Sequence, residues 1–174
     1  MDYADLLVFV FPAYVANAVP VLFAGKTPID LGEHLEDGHR FFGKGKTVRG
    51  FIAGVAAGTV TGAAMAFLQP GFLPFLASWE KTALAFLLGV GTMLGDLAGS
   101  FLKRRLRVPS GGKIRFLDQI PFVLIALLFA VLAFPQLAVE IGLTGLGFLV
   151  VVTLVLHRLV NWVAHAAGLK NVPW

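Results

Sequence analysis

Residues 82–102, TALAFLLGVGTMLGDLAGSFL, contain a single charged side chain, that of Asp96. A transmembrane α-helix needs about 20 consecutive, predominantly apolar residues, and this stretch supplies them. Lys81 precedes it and Lys103 follows it, so charges mark both ends. The stretch predicts a membrane-crossing helix with an acid inside the hydrocarbon depth, where an ionisable side chain is a candidate functional group.

The whole chain has the composition of a membrane protein. Of its 174 residues, 57% are hydrophobic and 14% are charged, and the mean hydropathy is +0.83. A soluble domain carries roughly 25% charged residues, so one soluble core could not bury this much apolar surface. The absence of cysteine excludes disulfides, iron–sulfur clusters and thiol catalysis, and four histidines without cysteine argue against a dedicated zinc site.

Further apolar stretches indicate an all-α, polytopic membrane protein that forms a single domain over residues 1–174. We predict five transmembrane helices, at Leu6–Phe23, Gly50–Leu68, Thr82–Leu102, Ile120–Phe134 and Leu146–Val163. The fourth has only about 14 strongly apolar residues, roughly 21 Å at helical rise, so it must tilt or borrow flanking residues. An acidic start, with Asp2 and Asp5, argues against a cleaved signal peptide.

Positive charge lies almost entirely on one side of these predicted helices. Only Lys81 lies on the other side, whereas the two long loops and the C-terminal end hold Lys26, Arg40, Lys44, Lys46, Arg49, Lys103, Arg104, Arg105, Arg107, Lys113, Arg115, Arg158 and Lys170. The positive-inside rule places both long loops and the C-terminus in the cytoplasm and the N-terminus outside, in a multi-pass protein of the cell membrane. We therefore expect the lipid bilayer and phosphates, and no nucleic acid, as partners of these charges.

Glycines repeat every four residues in two of the predicted helices. The second helix has Gly50, Gly54, Gly58 and Gly62, and the third has Gly91, Gly95 and Gly99. Such ridges of small residues let helix backbones approach closely. We interpret both ridges as packing surfaces, and Asp96 lies beside the second of them.

The third helix carries an acid, a hydroxyl and a base on one face. Asp96, Ser100 and Lys103 are spaced i, i+4, i+7, which places them on one helical stripe. Asp96 could be a structural carboxylate bound to Lys103 or to a backbone group. The basic run 103–107 could orient the protein or contact anionic lipid, or it could cradle phosphates together with Gly111-Gly112.

A second acid, Asp118, precedes the fourth predicted helix. Two carboxylates, Asp96 and Asp118, among many cations suit Mg²⁺, which accepts one or two protein carboxylates and completes its shell with water and substrate phosphates. The pattern indicates a site for a phosphate-bearing substrate on the cytoplasmic face.

The first long loop ends in GKGKTVRG, residues 43–50. The motif resembles a phosphate loop only superficially, because a Walker A motif requires glycine where Arg40 stands and a preceding strand. Flexible glycines, the Thr47 hydroxyl and three cations at the start of a helix suit nucleotide phosphates without specifying the nucleotide.

Together these motifs resemble the archaeal CDP-archaeol synthase family, which acts as CTP:2,3-di-O-geranylgeranyl-sn-glycero-1-phosphate cytidylyltransferase. The resemblance rests on PAYVANAVP at 12–20, PID at 28–30, DGHRFFGKGKTVRG at 37–50, and the segment from Gly95-Asp96 through Ser100 and Lys103-Arg104-Arg105 to Asp118-Gln119. The last segment is also similar to phosphatidate cytidylyltransferases, from which it departs at Pro109-Ser110 and at Gln119.

The resemblance implies a Mg²⁺-dependent transfer of CMP from CTP to an isoprenoid ether-lipid phosphate, giving CDP-archaeol and pyrophosphate. It implies Asp96 and Asp118 as Mg²⁺ ligands and Lys103 as a catalytic cation. It also implies a set of residues around the phosphates and further candidates for the rest of the CTP pocket. The first set is Lys46, Thr47, Arg49, Ser100 and Arg104, and the further candidates are Asn17, Asp30, Asp37 and Arg40.

Two other classes of protein share parts of this pattern. CDP-alcohol phosphotransferases need Asp-Gly-x-x-Ala-Arg followed by two spaced aspartates, and Asp37-Gly38-His39-Arg40 lacks that continuation. A small membrane transporter or assembly subunit could carry an intramembrane acid as an ion site. Pyrophosphate release from CTP in the presence of a lipid phosphate separates the enzyme from the transporter.

Overall fold

The computed structural model describes residues 1–23, 25–109 and 112–168, with the side chains of Arg115 and Ala164 left aside. This part of the chain is helical, with an ordered loop between its first two helices. The helices are α1 Tyr3–Ala18, α2 Val48–Leu68, α3 Ser78–Arg105, α4 Arg115–Gln119, α5 Pro121–Ala133 and α6 Gln136–Ala166. A 3₁₀ turn, Val19–Val21, extends α1.

Within the described residues, four helices are long and apolar enough to cross a membrane, and α5 is a shorter apolar helix. The prediction of an all-α, multi-pass membrane protein is confirmed, and the predicted five spans are close to four long helices plus one short one. With 13 residues, α5 is about 20 Å long, against roughly 30 Å for the hydrocarbon core.

Several predicted helix ends are wrong. The last span begins at Gln136 and not at Leu146, because a short helical segment that includes Glu140 precedes the predicted span and joins it across a kink at Gly142, where φ is 60° and ψ is 176°, outside the helical range. The third helix is longer than predicted and covers Ser78–Arg105 instead of Thr82–Leu102. An acidic residue in its first turn and basic residues in its last turn stabilise both ends through the helix dipole. The first ends at Ala18, and its 3₁₀ extension ends at Val21, short of Phe23.

The glycine ridges make α3 the centre of the bundle. On α2, a Cβ at Gly58 would lie 2.9 Å from the Pro12 carbonyl oxygen of α1 and 3.5 Å from Gly89 Cα of α3. On α3, a Cβ at Gly91 would lie 2.7 Å from Ala126 Cα of α5. The predicted packing role of both ridges is therefore confirmed, and α3 is held between α1–α2 on one side and α5 on the other.

Candidate active site

The first long loop, residues 25–47, folds back on itself beside the start of α2. Ile29 N–H donates to the Lys46 carbonyl (2.8 Å) and Val48 N–H donates to the Thr27 carbonyl (3.1 Å). The Thr47 hydroxyl caps α2, because it accepts from the N–H groups of Gly50 (3.2 Å) and Gly25 (3.1 Å). These bonds fix Lys46 at the N-terminus of α2, where the helix dipole favours anions.

Asp30 organises this loop from inside. Its side chain is fully buried; it pairs with the Arg40 guanidinium and accepts from the N–H groups of Gly32, Phe42 and Gly43 at 3.0–3.2 Å. Burial opposes ionisation of this carboxyl, but Arg40 and the three N–H donors together hold its pKa far below the usual value of 3.8. Asp30 and Arg40 thus use their polar groups to shape the loop.

Arg105, at the end of α3, fastens the loop to the helix. Its guanidinium donates to Asp37 Oδ2 (2.6 Å) and to the carbonyl oxygens of His39 (3.2 Å) and Arg40 (2.7 Å), and it lies over the Phe101 ring. The His39 N–H and then Arg105 lower the pKa of Asp37. Sequence reasoning missed Arg105 as a site residue, since nothing in the run Lys103-Arg104-Arg105 distinguishes it from its neighbours.

A cleft of about 330 Å³, counting space open to solvent, lies between the first loop, α2 and α3. Asp96 lines it together with Lys46, whose Nζ lies 2.7 Å from Oδ1 and 2.5 Å from Oδ2 of that carboxylate. The alternative that Asp96 is bound to Lys103 is therefore wrong: Asp96 reaches across to the loop, 50 residues earlier in the chain.

Lys103 instead pairs with Asp118 of α4. Asp118 also accepts from the Ile114 N–H (3.1 Å) and attracts the nearby guanidinium of Arg104. Arg104 and Ser100 are buried on the same helix α3. The structure thus brings together Asp96, Asp118, Lys46, Ser100, Lys103 and Arg104 at one end of the bundle.

The remaining predicted residues lie at the edges of this group. Asn17 is half-buried on α1, three residues before Pro20, which lines the cleft. Arg49 is exposed in the first turn of α2. Within the described residues neither side chain has a hydrogen bond. Gly111 of the predicted phosphate cradle, with Ser110 before it, lies outside the described residues, as does Lys170.

The donor set decides which metal ion the site could hold. Among the described residues, no three His, Cys, Asp or Glu side chains lie together as a metal cluster. Asp96 and Asp118 each hold a lysine ammonium, so both positions already attract a cation. Two separate carboxylates do not fit zinc, but they fit Mg²⁺, which is bound by one or two carboxylates together with substrate phosphates.

Comparison with known proteins identifies the family of the chain. The family described as "CarS-like: CDP-archaeol synthase" matches residues 4–174. The CDP-archaeol synthase of Pyrococcus abyssi is 45% identical over 166 residues, covering 95% of each chain. That of Methanopyrus kandleri is 41% identical over 166 residues, covering 95% of this chain and 90% of the relative.

A solved structure described as "Structural insight into an intramembrane enzyme for archaeal membrane lipids biosynthesis" has a similar fold. Its TM-score is 0.76 at 33% identity, covering 92% of this chain and 94% of that one. The family match and these relatives also exclude the alternative that the chain is a small transporter whose intramembrane acid forms an ion site. The chain therefore belongs to the CDP-archaeol synthase family, and it is a CTP-dependent nucleotidyltransferase that forms CDP-archaeol for archaeal membrane lipids.

Proposed function

We propose that the cleft beside Asp96 binds CTP with Mg²⁺ and that the chain transfers CMP there to 2,3-di-O-geranylgeranylglyceryl phosphate, releasing pyrophosphate. The observation that carries this assignment is Asp96, which lines an open cleft and pairs with Lys46, together with a second lysine-paired carboxylate, Asp118, held by Lys103 of the same helix α3. Asp96 and Asp118 would hold the metal ion. Lys46, Lys103 and Arg104 would meet the phosphates.

The proposed reaction requires little proton transfer by the protein. A phosphate monoester has a second pKa of about 6, so the lipid phosphate is already a charged nucleophile near neutral pH and needs no strong general base. Its oxygen attacks the α-phosphorus of CTP, and the bond from that phosphorus to the pyrophosphate oxygen breaks. Mg²⁺, when bound, would neutralise charge on the phosphates.

The protein's own residues would bring two anions together and stabilise the leaving pyrophosphate. Lys46 stands at the N-terminus of α2, so its ammonium and the helix dipole act on the same anion. Lys103 and Arg104 supply cations about two turns along α3 from Asp96, and Ser100 lies between Asp96 and these cations in the sequence. Preorganised charges of this kind act mainly on the transition state.

Other predicted residues would act less directly. Asp30, Arg40 and Asp37 would hold the first loop in shape through the bonds described above, and Thr47 would fix the start of α2. Asn17 and Arg49, which have free polar groups near the cleft within the described part of the chain, would contact CTP.

Transfer of label from CTP to lipid phosphates in detergent tests this function. We expect pyrophosphate release only when CTP, Mg²⁺ and lipid phosphate are all present, and faster transfer to an ether-linked isoprenoid glycerophosphate than to an ester-linked diacyl one. Equal rates with both lipids would contradict the proposed lipid class. Absence of any CTP-dependent product would contradict the proposed reaction.

We further propose that the cleft faces the cytoplasm and that the N-terminus lies outside. The chain has no cysteine, so a single introduced cysteine reports its own side of the membrane. Lys44 in the first loop and Gly71 between α2 and α3 are both exposed. We expect a membrane-impermeant maleimide to label Lys44→Cys only in inside-out vesicles and Gly71→Cys only in intact cells. The opposite pattern would invert the orientation.

A further inference from the structure

The two acids proposed to hold the metal ion are each occupied by an ammonium group. One ammonium, that of Lys46, contacts both carboxylate oxygens of Asp96, at 2.7 and 2.5 Å. Lys103 donates to Oδ1 of Asp118, and the Ile114 N–H donates to its Oδ2 at 3.1 Å. The anionic oxygens that a divalent ion would use are therefore already hydrogen-bonded.

We propose that Lys46 and Lys103 are exchangeable counter-ions, which neutralise Asp96 and Asp118 before the substrates bind and move to the nucleotide phosphates when the metal ion arrives. The inference rests on the proposed function, because it requires these two acids to be the metal ligands. A lysine ammonium is a point charge on a flexible four-carbon stem, so it can change partner without a backbone movement.

The Asp30–Arg40 pair in the same loop shows how a permanent ion pair differs. The Asp30 side chain is 0% exposed and is fixed by three backbone donors besides Arg40. The side chains of Asp96 and Lys46 are 30% and 28% exposed, and within the described residues Asp96 has no other hydrogen-bond donor. The Asp96–Lys46 pair therefore has room to open, and the lysine is all that an arriving ion must displace. The Asp118 and Lys103 side chains are 22% and 14% exposed, so this pair is more enclosed than the first, but its carboxylate, unlike that of Asp30, is open to solvent.

This arrangement makes metal binding and nucleotide binding depend on each other. A divalent ion that binds alone displaces an ammonium and leaves it without an anion. An ion that binds with a triphosphate supplies the displaced ammonium with new oxygens. By linkage, each ligand then raises the affinity for the other by the same factor. Lys46 and Lys103 are positioning residues for the ion as well as contacts for the phosphates.

Binding of Mn²⁺ to the purified, nucleotide-free protein, followed through the electron paramagnetic resonance signal of the free ion, tests the exchange. We expect Lys46→Met and Lys103→Met to bind Mn²⁺ about fivefold more tightly than the wild type, near the upper end of measured coupling in partly exposed ion pairs. Lys26→Met is the matched control, because this variant removes the same charge from another exposed lysine of the same loop. We expect it to stay within about twofold of wild type, since it forms no ion pair within the described residues.

A second measurement separates exchange from a simple loss of repulsion. In wild type, saturating Mn²⁺ should tighten CTP binding by a larger factor than in Lys46→Met, because only wild type has a Lys46 ammonium that can move from Asp96 to the nucleotide phosphates. Circular dichroism and size-exclusion profiles check that each variant is folded. Because the two lysines belong to separate ion pairs, their variants test the exchange independently.

The outcomes distinguish this inference from the proposed function. Folded lysine variants that bind Mn²⁺ no more tightly than wild type would overturn the exchange, while weaker binding by Asp96→Asn would leave the metal site standing. If Asp96→Asn and Asp118→Asn both bind Mn²⁺ like wild type, the proposed metal site itself is wrong.

Discussion

Replacement of Asp96 by Asn is expected to lower the rate of CMP transfer by on the order of 10³-fold, comparable with removing a strong electrostatic contact to a transition state. The amide is nearly the same size but carries no charge, so it neither attracts a divalent ion nor balances Lys46. Because Asp96 is 30% exposed on its side chain and lines an open cleft, we expect the variant to fold. Steady-state transfer of label from CTP to the ether-lipid phosphate measures the effect.

Asp118→Asn is also expected to lower the transfer rate, because Asp118 pairs with Lys103 and is the second proposed metal ligand. Glu36→Gln is the matched control: Glu36 is an exposed carboxylate of the first loop, and it forms no ion pair within the described residues. We expect its rate to stay within about twofold of wild type. Normal turnover by purified Asp96→Asn or Asp118→Asn would remove that carboxylate from the metal assignment.

Gly95→Val is expected to destabilise the protein by about 3 kcal/mol and to abolish transfer. A Cβ at Gly95 would overlap the Pro121 carbonyl oxygen and would lie 2.5 Å from Phe122 Cα and 2.8 Å from Phe122 N. All three are backbone atoms, so no side chain can move aside and α3 must separate from α5. The separation would displace the neighbouring Asp96 from the cleft.

Unfolding in increasing denaturing detergent, followed by circular dichroism, measures the stability change. Gly147→Val on α6 is the matched control, since a Cβ there has nothing within 4 Å and the substitution has the same intrinsic helix cost. If Gly95→Val unfolds at the same detergent concentration as Gly147→Val, then close contact between α3 and α5 does not hold the bundle together.

Much of the fold could be predicted because the bilayer imposes simple rules. An apolar run of a given length specifies a helix, and the four-residue glycine spacing specifies which face packs closely. Prediction failed where a helix extends beyond its apolar run and contacts a residue far away in the sequence. Glu140, which lies within α6, accepts a hydrogen bond from the N-terminal amine of Met1 (2.9 Å), 139 residues earlier in the chain, and helical periodicity does not contain this contact.

The candidate site also divides into a part that local spacing predicts and a part that depends on distant segments of the chain. Spacing on one helix placed Asp96, Ser100 and Lys103 on a common stripe, and that part is local. The partners of the acids are not local: Lys46 reaches Asp96 from the first loop, and Lys103 turns to Asp118. Arg105 was not predicted as a site residue because its role depends on where the first loop folds, and no pattern within residues 103–107 indicates that position.

The short α5 helix has a consequence for how a water-insoluble substrate meets a water-soluble one. A helix about 10 Å shorter than the hydrocarbon core draws the nearby lipid headgroups inward or lets the polar turn before it sit below the surface. That turn is α4, which carries Asp118. On the proposed function, the acceptor would keep its isoprenoid chains among neighbouring lipids and present only its phosphate, so catalysis would require no extraction of the lipid from the membrane.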